Sequence, residues 1–451
     1  MLNHIDGDFF RKLFKLALPI SMQTMLFSVL GLVDAAMVAH LGSVQIAAVG
    51  LASKIFLITF LLLSALSSIF SINGAQYFGA QDMDKFKRCL CQALICCSVM
   101  VLPIIIFCAT SAEDIMGLAS TDAQLVELSS AFLLVTCFSY FSTALVLPVE
   151  AALHSAGEAK WPTWIGLATV LSNIVLNFVF IYGFAGLPAM GVTGSALGTS
   201  CARVIQLALL LWVLFRKYPQ LVPGRRHFTA AFEAASFGSF LKQGIPLAIH
   251  NGIWGAGFFV YQSIYGRMGT DVLSVINLLA PFDAMMMSAF VGLSTATSIM
   301  LGHELGANNL DRARGQSRAF LLLSPLVALL AALVTYAFSG QLVWLLNGMQ
   351  EPLAAAQGVL SIMAFGLCLK VINFVGIIGI LRSGGDIKYT MFIDQFGLWC
   401  VGIPVAWWAG IYMKLDVSFV IALVLLEELA KAFLTIQRVL RGVWVRNLAV
   451  Q

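Results

Sequence analysis

Apolar positions in this chain neither alternate with polar ones nor confine themselves to one helical stripe. They run on without break, and Gly, Pro, Asp, Lys and Arg gather in the short stretches between. A bilayer core takes about 20 apolar residues of α-helix to cross. That ruler gives twelve spans, near 14–40, 45–77, 89–110, 125–153, 162–185, 191–215, 240–267, 271–301, 317–346, 354–381, 389–412 and 417–437. Several are long enough to imply tilt, kinks or ends that project from the bilayer. A β-barrel is excluded, because its strands alternate over about 10 residues. The predicted fold is an all-α polytopic membrane protein. The first span follows Arg11, Lys12 and Lys15 as a signal peptide would, but it has no small-residue cleavage site and is expected to be retained.

The two halves of the pattern repeat. A shift of 227 pairs Pro19 with Pro246, Val33 with Val260, Gly42 with Gly269, Gly79-Ala80 with Gly306-Ala307, and Asp84 with Asp311. A shift of 228 pairs Ser155 with Ser383, Gly157 with Gly385, Glu158 with Asp386, and Lys160 with Lys388. Six spans per half is an even number, so both halves enter the membrane in one orientation. That makes them parallel repeats about a pseudo-two-fold along the membrane normal. The expected organisation is an N-terminal lobe over 1–215, a basic linker over 216–235 and a C-terminal lobe over 236–451.

Composition agrees. Of 451 residues 60% are hydrophobic and 11% charged, with a mean hydropathy of +0.92, against roughly 25% charged residues in a soluble domain. Disorder, a disulfide scaffold and nucleic-acid binding are excluded. With the amino terminus inside, 21 of the 26 bases, Lys431 among them, fall in cytoplasmic segments, only Arg267 and Lys414 fall outside, and Lys54, Arg203 and Lys370 fall within spans. Such a bias places both termini in the cytoplasm of a multi-pass protein of the inner (plasma) membrane. Cys89, Cys91, Cys96 and Cys97 cluster, but neither histidine nor a CxxC pairing accompanies them. They read as small apolar residues, and no metal or other cofactor is expected.

Several segments carry a resemblance. LPISMQTMLFSVLGLVDAAMVAHLG (18–42), GAQYFGAQDMDKFKR (74–88), LHSAGEAKWPTW (153–164), NIVLNFVFIYGF (173–184), GVTGSALGTS (191–200), GHELGANNLDRAR (302–314) and LRSGGDIKYT (381–390) stand in the order and spacing of the MATE family, the multidrug and toxic compound extrusion transporters. The chain resembles that family over its whole length, and GLVDAAMVAHLG is most similar to the DinF-like branch. The resemblance implies two six-helix lobes flanking a central cleft.

Charges within the membrane carry the chemistry, since each costs about 2.5–3.5 kcal/mol at a helix centre. Asp34 lies eight residues before Gly42, roughly 12 Å below the outer surface. Its sequence neighbours are apolar. Desolvation penalises the charged form there, so this carboxyl is the candidate for proton or cation coupling; a hydrogen-bonded structural Asp is the alternative. The resemblance implies an essential acid at this position. DinF-like members also carry an Asn and, four residues on, an Asp in span 5. Here the pair is Asn173 and Asn177, so the second carboxylate is replaced by an amide. Asn173, Asn177 and Thr199 complete the expected network, or else bond helix to helix. Arg203 is a counter-ion or a snorkelling base.

The second lobe carries Asp283, Lys370, Asp394, Glu427 and Glu428, and one of the acids is expected to neutralise Lys370. They form either a functional network or a structural lock. The NorM branch has a cation-binding Glu eight residues after the span 7 proline, where this chain has Trp254; its span 10 acid corresponds to Val371, beside Lys370. A fixed ammonium there disfavours sodium, so protons are the expected ion. Met285, Met286 and Met287, with Trp254 and Phe258, form a soft lining for apolar ligands or are ordinary packing. Pro19 has no N–H for the carbonyl one turn earlier, near Lys15, and is a hinge or a static kink.

The expected function is secondary active multidrug efflux by a monomer embedded in lipid, exchanging protons for cationic amphipathic drugs. It uses no ATP and performs no catalysis, since no GxxxxGK[ST] loop occurs. A sodium-coupled exporter of the same family and a lipid-headgroup flippase of related fold are the rivals. The flippase would want several bases in its cleft, where only Arg203 and Lys370 stand. An intramembrane enzyme would need clustered carboxylates, HExxH or a Ser–His pair, and the histidines at 4, 40, 154, 227, 250 and 303 are scattered.

Overall fold

The structure, a computed structural model, describes residues 7–184, 186–346 and 355–450. The expected start of the tenth span at residue 354, and His4, lie outside the described residues. The main helices are α1 (Gly7–Ala39), α2 (Ser43–Gly79), α3 (Met83–Thr110), α4 (Ala123–Ser155), α5 (Lys160–Tyr182), α6 (Gly191–Lys217), α7 (Ala234–Met268), α8 (Thr270–Gly306), α9 (Leu310–Ala337), α10 (Ala356–Asn373), α11 (Ile387–Gln395) and α12 (Val417–Arg441). Each expected span overlaps one of them, and the ninth runs past the end of α9 at Ala337 into a separate short helix, Ser339–Leu346. Two spans depart from plain α-helix. The tenth continues from α10 as a π-helix over Phe374–Leu381. The eleventh passes from α11 through π segments at Phe396–Gly402 and Trp408–Tyr412. Such bulges re-aim the side chains that follow them.

Among the described residues nine helices are long and apolar enough to cross a membrane by length and composition. The others are polar or interrupted: α7 carries His250 and Asn251, the eleventh span is broken by its π segments, and α12 holds Glu427, Glu428 and Lys431.

Loop chemistry sets the helix ends. Asp82 caps α3 by accepting from Lys85 N at 3.0 Å, and Asp122 caps α4 by accepting from Gln124 N at 2.9 Å. Asp416 does the same for α12 through Ser418 N at 2.9 Å, and Gly442 ends that helix in a left-handed conformation. The internal repeat is written in the backbone as well as in the sequence. Gln81 (φ 59°) and Asn308 (φ 60°), 227 apart, both take the left-handed conformation that non-glycine residues rarely adopt. Gly42 (φ 131°) matches Gly269 (φ 139°), and Gly157 (φ 81°) matches Gly385 (φ 78°).

The chain packs as two compact units. One holds Met22–Phe78 and Asp82–Ile249; the other holds the chain up to Ser21, Gly79–Gln81, and everything from His250 onward. Two helices therefore change unit partway along, α1 after Ser21 and α7 after Ile249, in each case just beyond the proline. In the second unit Phe9 packs on Phe320 with ring centroids 5.0 Å apart, and a methyl at Gly292 of α8 would collide with the α1 backbone at Ala17 and Ser21. In the first unit the rest of α1 lies against α4, α5 and α6, as the site below shows.

The linker between α6 and α7 folds back on α3. Asp84 accepts from Arg226 Nη2 at 2.8 Å, and Arg88 donates to Glu233 at 2.8 Å. His227 Nδ1 accepts from Gly224 N at 2.9 Å, which leaves the ring proton on Nε2 to donate to Asp84 at 3.0 Å. The His227 hydrogen bond and the Arg226 charge hold the Asp84 carboxyl below the usual carboxylate range.

Candidate functional site

The site in the first unit begins with close approach. Gly194 and Gly198 in GVTGSALGTS lie one turn apart on α6 and face α5. A side chain at Gly194 would strike the backbone of Phe180, and one at Gly198 would strike Asn177. This small-xxx-small spacing lets two helices meet backbone to backbone. It brings Thr199 on α6 beside Asn173 on α5. From the other side Tyr182 on α5 donates to the Met37 carbonyl of α1 at 2.9 Å, fixing the outer part of α1 against α5.

Asp34 lies in that seam. Asn177 Nδ2 donates to Asp34 Oδ1 at 2.8 Å and to Asn173 Oδ1 at 3.0 Å, and Asn173 Nδ2 donates to Thr199 Oγ1 at 3.3 Å. The four residues singled out in the sequence form one continuous chain of hydrogen bonds. Asn173 and Asn177 are buried, whereas Asp34 is half-buried. Asn177 Oδ1 has no hydrogen-bond partner among the described residues. Asp34 forms no ion pair with a described residue. An ionised carboxylate without a paired cation is costly here, and a hydrogen bond to it offsets only about 1.5–3 kcal/mol. Taking up a proton relieves that cost.

Arg203 does not snorkel to the surface. It donates to Gln206 Oε1 at 2.8 Å, and its guanidinium lies 5.2 Å from the centre of the Phe27 ring and 6.0 Å from that of Phe56. Its positive charge bears on Asp34 without touching it.

Sequence reasoning missed one group here. Glu150 on α4 accepts from Gln206 Nε2 at 2.9 Å and from Gln23 Nε2 of α1 at 3.0 Å. The available signal was an acid between Pro148 and Ala151-Ala152 in an otherwise apolar run.

In the second unit the acids are separated. Lys370 donates to Asp283 at 2.9 Å, so Asp283 is the acid that neutralises it. Glu428 accepts from Asn373 Nδ2 at 2.7 Å. Asp394 lies 3.4 Å from His250 Nε2 and 3.5 Å from Arg382 Nη2. Glu427 is buried and accepts from both Lys431 Nζ and the Tyr261 hydroxyl. Lys431 is the correction to the charge map. Counted with the cytoplasmic bases, it is itself buried within α12, four residues and one turn from Glu427. Trp254 and Phe258 stack with ring centroids 6.3 Å apart and are largely exposed.

Comparison with known proteins bears on the family and the fold. A family model, MatE, matches residues 19–179 and again 246–408, so the two matches begin 227 residues apart, the offset of the repeat. The Bacillus subtilis protein "Uncharacterized transporter YisQ" is 23% identical over 96% of this chain and 95% of its own. "Probable multidrug resistance protein NorM" of Geobacillus kaustophilus is 25% identical over 97% of this chain and 96% of its own. A mutant of the Vibrio cholerae MATE transporter VcmN superposes with a TM-score of 0.88 at 19% identity, over 98% of each chain. The twofold family match and the shared architecture together establish that the chain belongs to the MatE family and has the fold of its membrane transporters, twelve helices in two lobes.

Proposed function

We propose that the protein is a secondary active multidrug exporter of the inner (plasma) membrane, exchanging protons for cationic amphipathic compounds, with Asp34 as the coupling group. The lobes are those marked by the repeat, 1–215 and 236–451, with both termini in the cytoplasm and a single chain as the working unit. The observation that carries the reading is Asp34 itself, an intramembrane carboxyl held by an amide and not by a paired cation. The relative named NorM supports multidrug efflux as the activity.

Proton and substrate compete in this scheme. A proton from outside neutralises Asp34, the site loses anionic character, and a cationic substrate leaves. The inward return releases the proton and reloads the site. Each entering proton supplies about 2.3 kcal/mol per 100 mV and about 1.4 kcal/mol per pH unit. One or two protons therefore sustain a substrate gradient of tens- to thousands-fold. The second-lobe acids favour protons over sodium, because Asp283, Glu427 and Asp394 already face Lys370, Lys431 and Arg382 respectively.

The test is efflux of ethidium or norfloxacin from vesicles with the pH and sodium gradients imposed separately. Export should follow the pH gradient in sodium-free buffer. Export that needs sodium at constant pH would overturn proton coupling and point to the second-lobe acids as ligands.

Pro19 has a role in the same scheme. The change of unit in α1 two residues after it suits a hinge. Protonating Asp34 adds a donor, so its bond with Asn177 must rearrange, and a bend then transmits the change only if two packings differ by a few kcal/mol. Pro19→Ala restores a backbone hydrogen bond and should slow export severalfold without loss of substrate binding. Normal export by Pro19→Ala, with one shape of α1 at low and high pH, would leave Pro19 a static kink.

A further inference from the structure

The Glu150 cluster is not used by the scheme above, yet its geometry is that of a proton site. Three helices of one unit converge on this carboxylate. From α1, Gln23 Nε2 donates at 3.0 Å; from α6, Gln206 Nε2 donates at 2.9 Å, both to the same oxygen, Oε1. Gln23 and Gln206 are almost wholly buried. Among the described residues no cation forms an ion pair with Glu150. Arg203 donates to Gln206 Oε1 at 2.8 Å, and its positive charge bears on Glu150 and Asp34 alike. His154 stands one turn further along α4, and its Nε2 is buried with no partner among the described residues.

Two details connect this cluster to movement. Gln23 lies four residues beyond Pro19, immediately after the point where α1 passes from one unit to the other. Its Nε2 donates to Glu150, while its Oε1 is buried with no hydrogen-bond partner among the described residues. An ionised Glu150 only accepts, and the amide as placed suits it. A protonated Glu150 must donate. An idle acceptor on the same side chain is the Gln23 oxygen, brought to Glu150 by turning the amide over.

We propose that Glu150 is a second proton-binding carboxylate of the first lobe and that Gln23 transmits its protonation to α1. Asp34 and Glu150 then share one fixed cation, Arg203, through which the charge of one is felt by the other. Span 5 has an amide at Asn177, and α4 supplies a second acid from a different helix. The inference rests on the proton-exchange reading for its role in export, but the protonation itself stands apart from it.

Infrared difference spectra of the purified, full-length transporter between acidic and neutral pH test it without any substrate. Two protonated-carboxyl bands should titrate, one lost in Asp34→Asn and the other in Glu150→Gln. Glutamine keeps the shape of Glu150 and can accept both amide bonds, so the fold is retained. Gln23→Leu should move the midpoint of the Glu150 band and leave the Asp34 band in place. A difference spectrum unchanged by Glu150→Gln, or a Glu150 midpoint unmoved by Gln23→Leu, overturns the proposal. In vesicles Glu150→Gln should flatten the pH dependence of export; a residue that merely holds helices together would lower the rate equally at every pH. If both bands titrate and no pH gradient drives export, proton exchange fails as the transport reaction while Glu150 stands as a proton site.

Discussion

Replacing Asp34 with asparagine should reduce proton-driven export to background while the protein remains folded in the membrane. Asparagine is nearly isosteric with aspartate, and its carbonyl oxygen can still accept from Asn177 Nδ2, the 2.8 Å bond on which the chain to Asn173 and Thr199 depends. The packing between α1 and α5 is kept, and so is the Tyr182 bond to Met37. What disappears is the group that changes charge. A ligand can shift a conformational equilibrium only by its differential interaction with the two states, and for the proton that interaction is with the carboxylate. A site locked neutral holds a cationic substrate more weakly and cannot be reset by the gradient. The measurement is efflux under an imposed pH gradient, beside the amount of folded protein recovered. Undiminished export by well-expressed Asp34→Asn would remove Asp34 from the mechanism.

The largest effect on stability should come from Lys431→Met. Lys431 and Glu427 are both buried, one turn apart on α12, with the Tyr261 hydroxyl from α7 as the second donor to Glu427. The site is tight: a side chain at Gly402 would strike Glu427 and Tyr261, and one at Gly397 would strike the Lys431 stem. Removing one member of a buried pair strands the other charge at a cost of about 3–5 kcal/mol. The loss should therefore be about 3 kcal/mol or more, read as a lowered thermal unfolding midpoint in detergent. Adding Glu427→Gln to Lys431→Met should restore most of it, because a buried pair replaced whole is often neutral. A single variant as stable as the parent would show that the pair is solvated and does not lock the lobe.

The spans and the repeat were legible because both rest on local rules. A run of about 20 apolar residues spans lipid whatever surrounds it, and Gly42, Gly157, Gly269 and Gly385 stand where the backbone takes positive φ. The Asp34 network was legible in part for the same reason, since Asn173 and Asn177 must share a helix face. The rest depends on which helices meet. Glu150 finds Gln23 across 127 positions and Gln206 across 56, and no periodicity encodes those pairings. Lys431 was counted with the cytoplasmic bases although it already stood inside the expected span 417–437, and only the packing of α12 shows it buried beside Glu427. Its spacing from Glu427 was nonetheless a readable i, i+4 pair. The π segments after α10 and α11 depend on packing that apolar pattern does not record.

The most direct test of proton exchange at Asp34 is to watch the proton. Proteoliposomes containing the transporter are given a pH gradient in sodium-free buffer, a pH-sensitive dye is placed inside, and a cationic substrate is then added. Wild-type protein should collapse the gradient faster on substrate addition, in proportion to substrate moved, and Asp34→Asn should give no substrate-dependent change. Substrate movement with no accompanying proton flux, or an equal flux in Asp34→Asn, would contradict the account.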